Sequence, residues 1–130
     1  MAEKGETAEA IFARADERKL LMGLDYAGAV TPAEAFALQG LDAARILDVR
    51  TPPEWDDDLS HLDNAALVPV EELESRLPEL DKYRSGAVLV YDRTGGRSTN
   101  AGQILVTHGF KDVSAIDGGL KAYRDWQKAR

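Results

Sequence analysis

The chain has 130 residues, 23 acidic and 16 basic side chains, a formal net charge of −7 and a hydrophobic fraction of 44%. This composition is typical of a globular domain with a buried core, and its acidity argues against nucleic acid as a partner. With no cysteine and only two histidines, the sequence excludes disulfides, thiolate metal sites and a cysteine nucleophile, and leaves a zinc site without its usual ligands. We predict no metal and no other cofactor.

Residues 1–29 are predicted to form an N-terminal helical extension. Apolar residues recur at helical spacing over residues 7–22, and Gly23 is predicted to stop the helix. This charged N-terminus lacks the apolar core of a signal peptide or a membrane span. By default we therefore predict a cytoplasmic protein with no membrane partner.

Residues 30–130 are predicted to form one domain in which short apolar strands alternate with helices. Thr31, Pro32 and Glu34 have the pattern of a capping box, and Gly40 is predicted to close that first helix. Strands are predicted at 45–49, 65–69, 87–91 and 112–116, and further helices at 70–80, 98–109 and 118–130. This alternation predicts an α/β fold with a mostly parallel central sheet and helices on both faces.

A glycine-rich loop follows the strongest predicted strand, in the segment VLVYDRTGGRSTNAG. Asp92 stands directly after the strand, at the edge where open α/β sheets bind ligands. Gly95 and Gly96 allow successive N–H groups to converge on an anion, and the following helix adds its positive N-terminal end. Arg93 and Arg97 are predicted to add charge at the rim. On these features alone, a plain glycine turn with a serine cap and solvated arginines fits equally well.

The order of several motifs resembles a rhodanese (sulfurtransferase) domain from about Val30 to Trp126. These motifs are LDVRTPPEW, HLDNA, VLVYDRTGGRST and GFKDVSAIDGGLKAY, although in HLDNA only His61 and Ala65 match the usual family residues. The resemblance implies a three-layer rhodanese-like fold. It also implies an active-site loop that consists of Asp92, Arg93, Thr94, Gly95, Gly96, Arg97 and Ser98.

Asp92 is where this sequence departs from the active members of that family. They have at this position the cysteine that carries sulfur as a persulfide, and among side chains only a thiolate can do so. The resemblance therefore implies the fold and the loop without the reaction. We predict that the Asp92 carboxylate fills the loop as a built-in anion. Asp48 and Arg50 are implied as supporting residues, joined by structural hydrogen bonds or an ion pair near the site.

We therefore predict a rhodanese-like domain without sulfurtransferase activity that acts as a regulatory, scaffolding or binding module for an unidentified protein. One alternative is an anion-binding module, which would use the loop amides and arginines to hold a small anion such as thiosulfate or sulfate. Another is a thiosulfate or persulfide sulfurtransferase whose natural cysteine at position 92 has been replaced by aspartate.

Other families with a reactive aspartate or an arginine loop fit less well. Phosphatases similar to haloacid dehalogenases need a second acid two residues after the nucleophile, where this chain has Thr94. A response-regulator receiver with Asp48 as acceptor needs an acidic pair that is missing from the expected place. Protein-tyrosine phosphatases separate nucleophile and arginine by five residues, whereas Asp92 and Arg97 are separated by four, as in sulfurtransferases.

Three further features are expected to be structural. The acidic segment Asp56–Asp58 is predicted to be a solvated turn rather than a metal site. His61 is expected to be an ordinary polar surface group. Tyr123 and Trp126 are spaced to lie on one face of the last helix, where we expect them to pack.

Overall fold

The computed structural model describes residues 7–21 and 27–130, and within them five strands form one sheet in the order β1-β5-β4-β2-β3. All pairings are parallel. The two edge strands, β1 and β3, are three residues long each. The strands are β1 (Gly28–Val30), β2 (Arg45–Asp48), β3 (Ala65–Leu67), β4 (Ala87–Tyr91) and β5 (Asp112–Ile116).

α-Helices connect most of the strands, and a 3₁₀ turn at Pro52–Glu54 lies between β2 and β3. None of the helices in the described ranges is long and apolar enough to cross a membrane. The predicted helix over residues 70–80 is interrupted by a 3₁₀ turn at Glu74–Arg76. Pro78 consequently lies in the first turn of α4, where its missing N–H costs no helical hydrogen bond. The helices are α1 (Ala8–Leu21), α2 (Pro32–Leu41), α3 (Val70–Leu73), α4 (Leu77–Leu80), α5 (Gly96–Thr107) and α6 (Gly119–Ala129).

The sheet is buried on both faces, which gives the three layers predicted from the sequence. Alternate residues of a strand point to opposite faces. In β4, Val88 and Val90 therefore contact the core shared with α3, α4 and α5. Leu89 and Tyr91 contact the core shared with α1, α2 and α6. The predicted α/β fold with helices on both faces is confirmed.

The start of α2 agrees with the prediction, and its end does not. The Thr31 hydroxyl accepts a hydrogen bond from the Glu34 N–H, and the Glu34 carboxylate accepts one from the Thr31 N–H. The helix continues through Gly40, and Asp42 takes the left-handed conformation at its C-cap, with φ of 51°. Aspartate tolerates this conformation better than most residues do. The predicted stop of α1 at Gly23 lies outside the described residues.

The N-terminal helix α1 packs against β1. Ile11 and Ala15 are fully buried in the core that α1 shares with α2 and α6. Gly28 allows this close approach, because a Cβ atom at that position would lie 3.0 Å from the Cβ of Ala15. Arg18 donates hydrogen bonds of 2.6 and 2.8 Å to the Glu34 carboxylate and so ties α1 to α2. The division of the chain at residue 29 stays a prediction.

Candidate functional site

The carboxylate of Asp92 lies at the centre of the loop that follows β4. Asp92 is only 2% exposed. Its Oδ1 accepts hydrogen bonds from the Gly95 N–H at 2.5 Å and from the Ser98 hydroxyl at 3.1 Å. Its Oδ2 accepts one from the Arg97 N–H at 2.6 Å. The donors of the loop thus converge on a negative charge that belongs to the same loop.

The backbone of the loop turns at Gly95, which is the N-cap of α5 and has φ of 117°. The helix was predicted to begin at Ser98, but it begins at Gly96, so Ser98 lies inside its first turn. Its buried hydroxyl faces Asp92 and also approaches the Gly95 carbonyl oxygen at 3.2 Å. Thr94 and Gly96 lie exposed at the surface of the loop.

The double glycine at the start of α6 contacts the start of the loop. Gly118 and Gly119 have φ values of 77° and 70°, which favour glycine. A Cβ atom at Gly119 would lie 2.5 Å from the carbonyl oxygen of Arg93. This contact brings the first turn of α6 onto the loop, where the Leu120 N–H donates to the Asp92 carbonyl oxygen at 2.8 Å. The Lys121 N–H likewise donates to the Arg93 carbonyl oxygen at 3.0 Å. The loop position is therefore coupled to the last helix through backbone atoms.

We expect Gly119→Ala to lower the free energy of unfolding by more than about 2 kcal/mol, since it combines a left-handed backbone with a steric clash. Urea denaturation measures this change. Gly40→Ala is the matched control, because Gly40 lies in α2 with nothing within 4 Å of the added Cβ. That control should stabilise by roughly 0.5–1 kcal/mol. Equal stability of the two variants would contradict the role given to Gly119.

Arg97 is paired with a carboxylate from another segment. Its Nη1 and Nη2 donate to the two Glu54 oxygens at 2.5 and 2.9 Å, while its Nε lies 3.7 Å from Oδ2 of Asp92. The hydrogen bond from Arg97 lowers the pKa of Glu54 to about 2. The pair therefore contributes stability above the ordinary pKa of a glutamate, and this contribution is lost only as the pH falls towards 2.

Arg93 is also neutralised, by the acidic segment that was predicted to be a solvated turn. Its Nη1 donates to Asp58 at 3.0 Å and to Asp57 at 3.3 Å. Asp56 and Asp58 stay largely solvated, with 83% and 70% of their side chains exposed, whereas the side chain of Asp57 is 21% exposed. The predicted solvated turn is thus found at Asp56 and Asp58 but not at Asp57. The pairing of Asp57 and Asp58 with Arg93 was not predicted, because Arg93 lies far away in sequence.

Asp48 and Arg50 form the expected ion pair beneath this acidic turn, and both are fully buried. The Arg50 Nη2 donates to Asp48 at 2.8 Å and to the Ser60 carbonyl oxygen at 2.6 Å, and its Nη1 reaches Asp57 at 3.3 Å. The pair thereby fixes the segment that supplies the partners of Arg93 and Arg97. Neither residue forms a hydrogen bond or an ion pair with Asp92, so their role at the loop is one of positioning.

Three residues outside the loop were only partly anticipated from the sequence. Glu54 and Asp57 were not identified as site residues, and the only signal was an acidic segment placed before a loop rich in arginine. His61 is stacked on Trp55 with ring centroids 3.6 Å apart, and its Nδ1 lies 2.9 Å from the Trp55 carbonyl oxygen. Among the described residues, no group of three histidine, aspartate or glutamate side chains is arranged to hold a metal ion.

The family model of the rhodanese-like domain matches residues 31–125. The chain therefore belongs to the rhodanese-like family, whose members include sulfurtransferases, and it contains no cysteine. The match covers the sheet from β2 to β5, the Asp92 loop and most of α6.

Two curated relatives are considerably longer than this chain. The chain is 35% identical over 88 residues to the probable adenylyltransferase/sulfurtransferase MoeZ of Mycobacterium tuberculosis. The aligned region covers 64% of the chain and 21% of MoeZ. It is 30% identical over 95 residues to the tRNA uridine(34) hydroxylase of Cytophaga hutchinsonii. That aligned region covers 71% of the chain and 30% of the hydroxylase. The chain thus spans less than a third of either relative.

Solved structures agree on the fold. A human single-domain sulfurtransferase superposes with a TM-score of 0.63 at 24% identity, over 78% of this chain and 96% of that one. Bacillus anthracis CoADR-RHD superposes with a TM-score of 0.73 at 23% identity, over 87% of this chain and 19% of that one. At these identities the likeness concerns the fold alone.

Proposed function

We propose that this rhodanese-like domain does not transfer sulfur and acts as a regulatory or binding module for a protein partner. The observation that carries the proposal is the position of the Asp92 carboxylate, which accepts the Gly95 and Arg97 N–H groups at 2.5 and 2.6 Å. A carboxylate at this point cannot form a persulfide, because sulfur transfer through the protein needs a thiolate.

The charges around the loop support a protein partner over a small anion. Arg93 and Arg97 already pair with carboxylates, and the loop amides bind Asp92. An incoming thiosulfate or sulfate would have to displace these groups, and it would also approach the exposed side chains of Asp56 and Asp58. The anion-binding alternative is therefore the weaker one. In both longer relatives the region that matches this chain makes up less than a third of the protein. This supports a role for the domain beside other domains or proteins.

We expect the purified protein to transfer no sulfur from thiosulfate to cyanide above the blank rate, and to bind no sulfate in isothermal titration calorimetry. Asp92→Ala should still transfer no sulfur, but it should bind sulfate, because the two loop N–H groups lose their internal acceptor. Asp58→Ala is the control. It removes one exposed negative charge from the rim without altering the loop amides.

The wild-type measurements decide the proposal. Turnover over many cycles would show that the domain is catalytic in spite of Asp92. Saturable sulfate binding to the wild-type protein would favour the anion-binding module. Sulfate binding that appears equally in Asp58→Ala and Asp92→Ala would show that only the net charge matters, and not the loop donors.

A further inference from the structure

We infer a second binding site, for a small organic anion with an aromatic or apolar body. It lies in a cleft at the end of the sheet where the strands begin. The cleft has a volume of about 740 Å³, within the range of roughly 300–1,000 Å³ typical of small-molecule sites. Arg45 and Ala87, the first residues of β2 and β4, lie in its wall. Because the strands are parallel, this cleft lies at the edge opposite to the Asp92 loop.

The distribution of ion pairs singles out this cleft. Most arginines of the described chain pair with a carboxylate, namely Arg14, Arg18, Arg50, Arg76, Arg84, Arg93 and Arg97. The remaining arginines, Arg45, Arg124 and Arg130, have no ion pair with any residue that the structure describes. Arg45 and Arg124 line the cleft, and Arg130 lies over the ring of Phe36, which also lines it. In a chain with net charge −7, the unpaired guanidinium groups are thus gathered in one place.

The Arg45 guanidinium has spare donors. Its Nη1 donates to the Asn64 carbonyl oxygen at 3.1 Å. Its Nε is buried without an acceptor. Its Nη2 donates to no described residue and is not buried, so it is the donor that a ligand in the cleft can reach. The guanidinium carbon lies 5.6 Å from the centroid of the Tyr83 ring, another residue of the cleft wall. A bound carboxylate or phosphate oxygen would supply the charged acceptor that Arg45 lacks.

Arg124 is held rigidly by neutral oxygens. Its Nε donates to the Leu59 carbonyl oxygen at 2.9 Å, its Nη1 to the Gln127 side-chain oxygen at 2.7 Å and its Nη2 to the His61 carbonyl oxygen at 3.1 Å. These bonds fix the position of the guanidinium and leave its charge uncompensated. A fixed positive charge needs no rearrangement before it attracts an anion, which favours binding.

Aromatic side chains in the wall provide a surface for the body of the ligand. Phe36 is 43% exposed, and Tyr83 and Tyr123 also line the cleft. The Tyr123 hydroxyl is occupied, since it donates to the Gln39 side-chain oxygen at 2.6 Å. Tyr123 is only 2% exposed, so the rings of Phe36 and Tyr83 offer the apolar contact area, while Arg45 binds the charged group.

Two carboxylates limit the kind of anion that fits. Asp42 and Asp63 line the same cleft, are exposed and form no ion pair with Arg45 or Arg124. They would repel an extended polyanion while leaving room for a single charged group beside the arginines. The site is thus suited to one carboxylate or one phosphate on a small apolar body, rather than to nucleic acid.

The test is a titration of the full chain followed by ¹H–¹⁵N NMR, including the arginine side-chain signals. The probes are benzoate, phenyl phosphate and the neutral control benzyl alcohol. We expect saturable shifts at Arg45, Tyr83 and Arg124 with at least one of the two anions, and no shifts in the Asp92 loop. The anion that binds more tightly identifies the preferred head group. Shifts centred on the loop, the absence of saturation with both anions, or equal binding of benzyl alcohol would each overturn the inference.

Single substitutions distinguish a specific role of the cleft arginines in anion binding from a general effect of charge. Arg45→Gln should weaken the tighter anion at least tenfold, and Arg130→Gln, at an exposed position, should weaken it about threefold. Arg84→Gln is the matched control, because Arg84 pairs with Asp81 and lies outside the cleft wall. It should bind as the wild type does. If Arg45→Gln fails to fold, the Arg130→Gln result decides: unchanged affinity in that folded variant would refute the inference.

Discussion

Asp92→Cys is expected to convert the loop into a sulfur acceptor. The new thiol would lie where the Gly95 and Arg97 N–H groups converge, at the N-terminus of α5. Its pKa should fall at least about one unit below the ordinary value near 8.5, as happens at helix N-termini. The thiolate then attacks the outer sulfur of thiosulfate, a new sulfur–sulfur bond forms, and sulfite leaves with the electron pair. Mass spectrometry should detect the added sulfur atom.

Two further variants test whether the sulfur uptake depends on the loop. Asp58→Cys places a thiol on the exposed acidic segment, where its pKa should stay close to the ordinary value of about 8.5. Adding Arg97→Ala to Asp92→Cys should abolish most of the sulfur uptake. The substitution keeps the backbone N–H of residue 97, but it removes the positive charge near position 92 and the ion pair with Glu54. If Asp92→Cys folds, has an unshifted thiol and takes up no sulfur, the loop has kept its shape without its reactivity.

Asp48→Asn is expected to cause the largest loss of stability among the substitutions considered. It would leave the fully buried Arg50 guanidinium without its closest carboxylate. Removing one partner of a buried ion pair typically costs about 3–5 kcal/mol of stability. This is a large part of the free energy of unfolding of a domain, which is roughly 5–15 kcal/mol. Thermal unfolding should show a decrease in Tm of more than about 10 °C.

Asp81→Asn provides the comparison for that experiment. Asp81 pairs with Arg84 at 2.9 Å, but its side chain is 68% exposed. Exposed pairs of this kind contribute about 1 kcal/mol or less. Similar destabilisation by Asp48→Asn and Asp81→Asn would mean that solvent or Asp57 compensates Arg50, and that the buried pair does not hold the acidic segment in place.

Local patterns were sufficient to predict most of the fold. The strands over residues 87–91 and 112–116 have the predicted bounds. The first is a continuous apolar segment, as expected of a strand buried on both faces, and the second contains Val113, Ala115 and Ile116. The capping box at Thr31 was also predictable, since its two partners are three residues apart. The Asp92 loop could be located in the same way, from a strand, two glycines and a following helix.

The parts that were missed depend on contacts between distant segments. β1 was not predicted, because a three-residue strand has no periodicity of its own and is defined by its pairing with β5. The partners of Arg93 and Arg97 come from residues 54–58, and no local pattern reveals this pairing. Such contacts exist only once the sheet has brought the two segments together.

The short edge strands have a consequence for how copies of this protein meet. A long exposed edge offers unpaired N–H and C=O groups on which another chain can add a strand, and this leads to aggregation. Here β1 and β3 have three residues each, and α1 packs against β1. We expect edge-to-edge association to be disfavoured, so that concentrated solutions stay free of sheet-extended aggregates and any self-assembly proceeds through the helical faces.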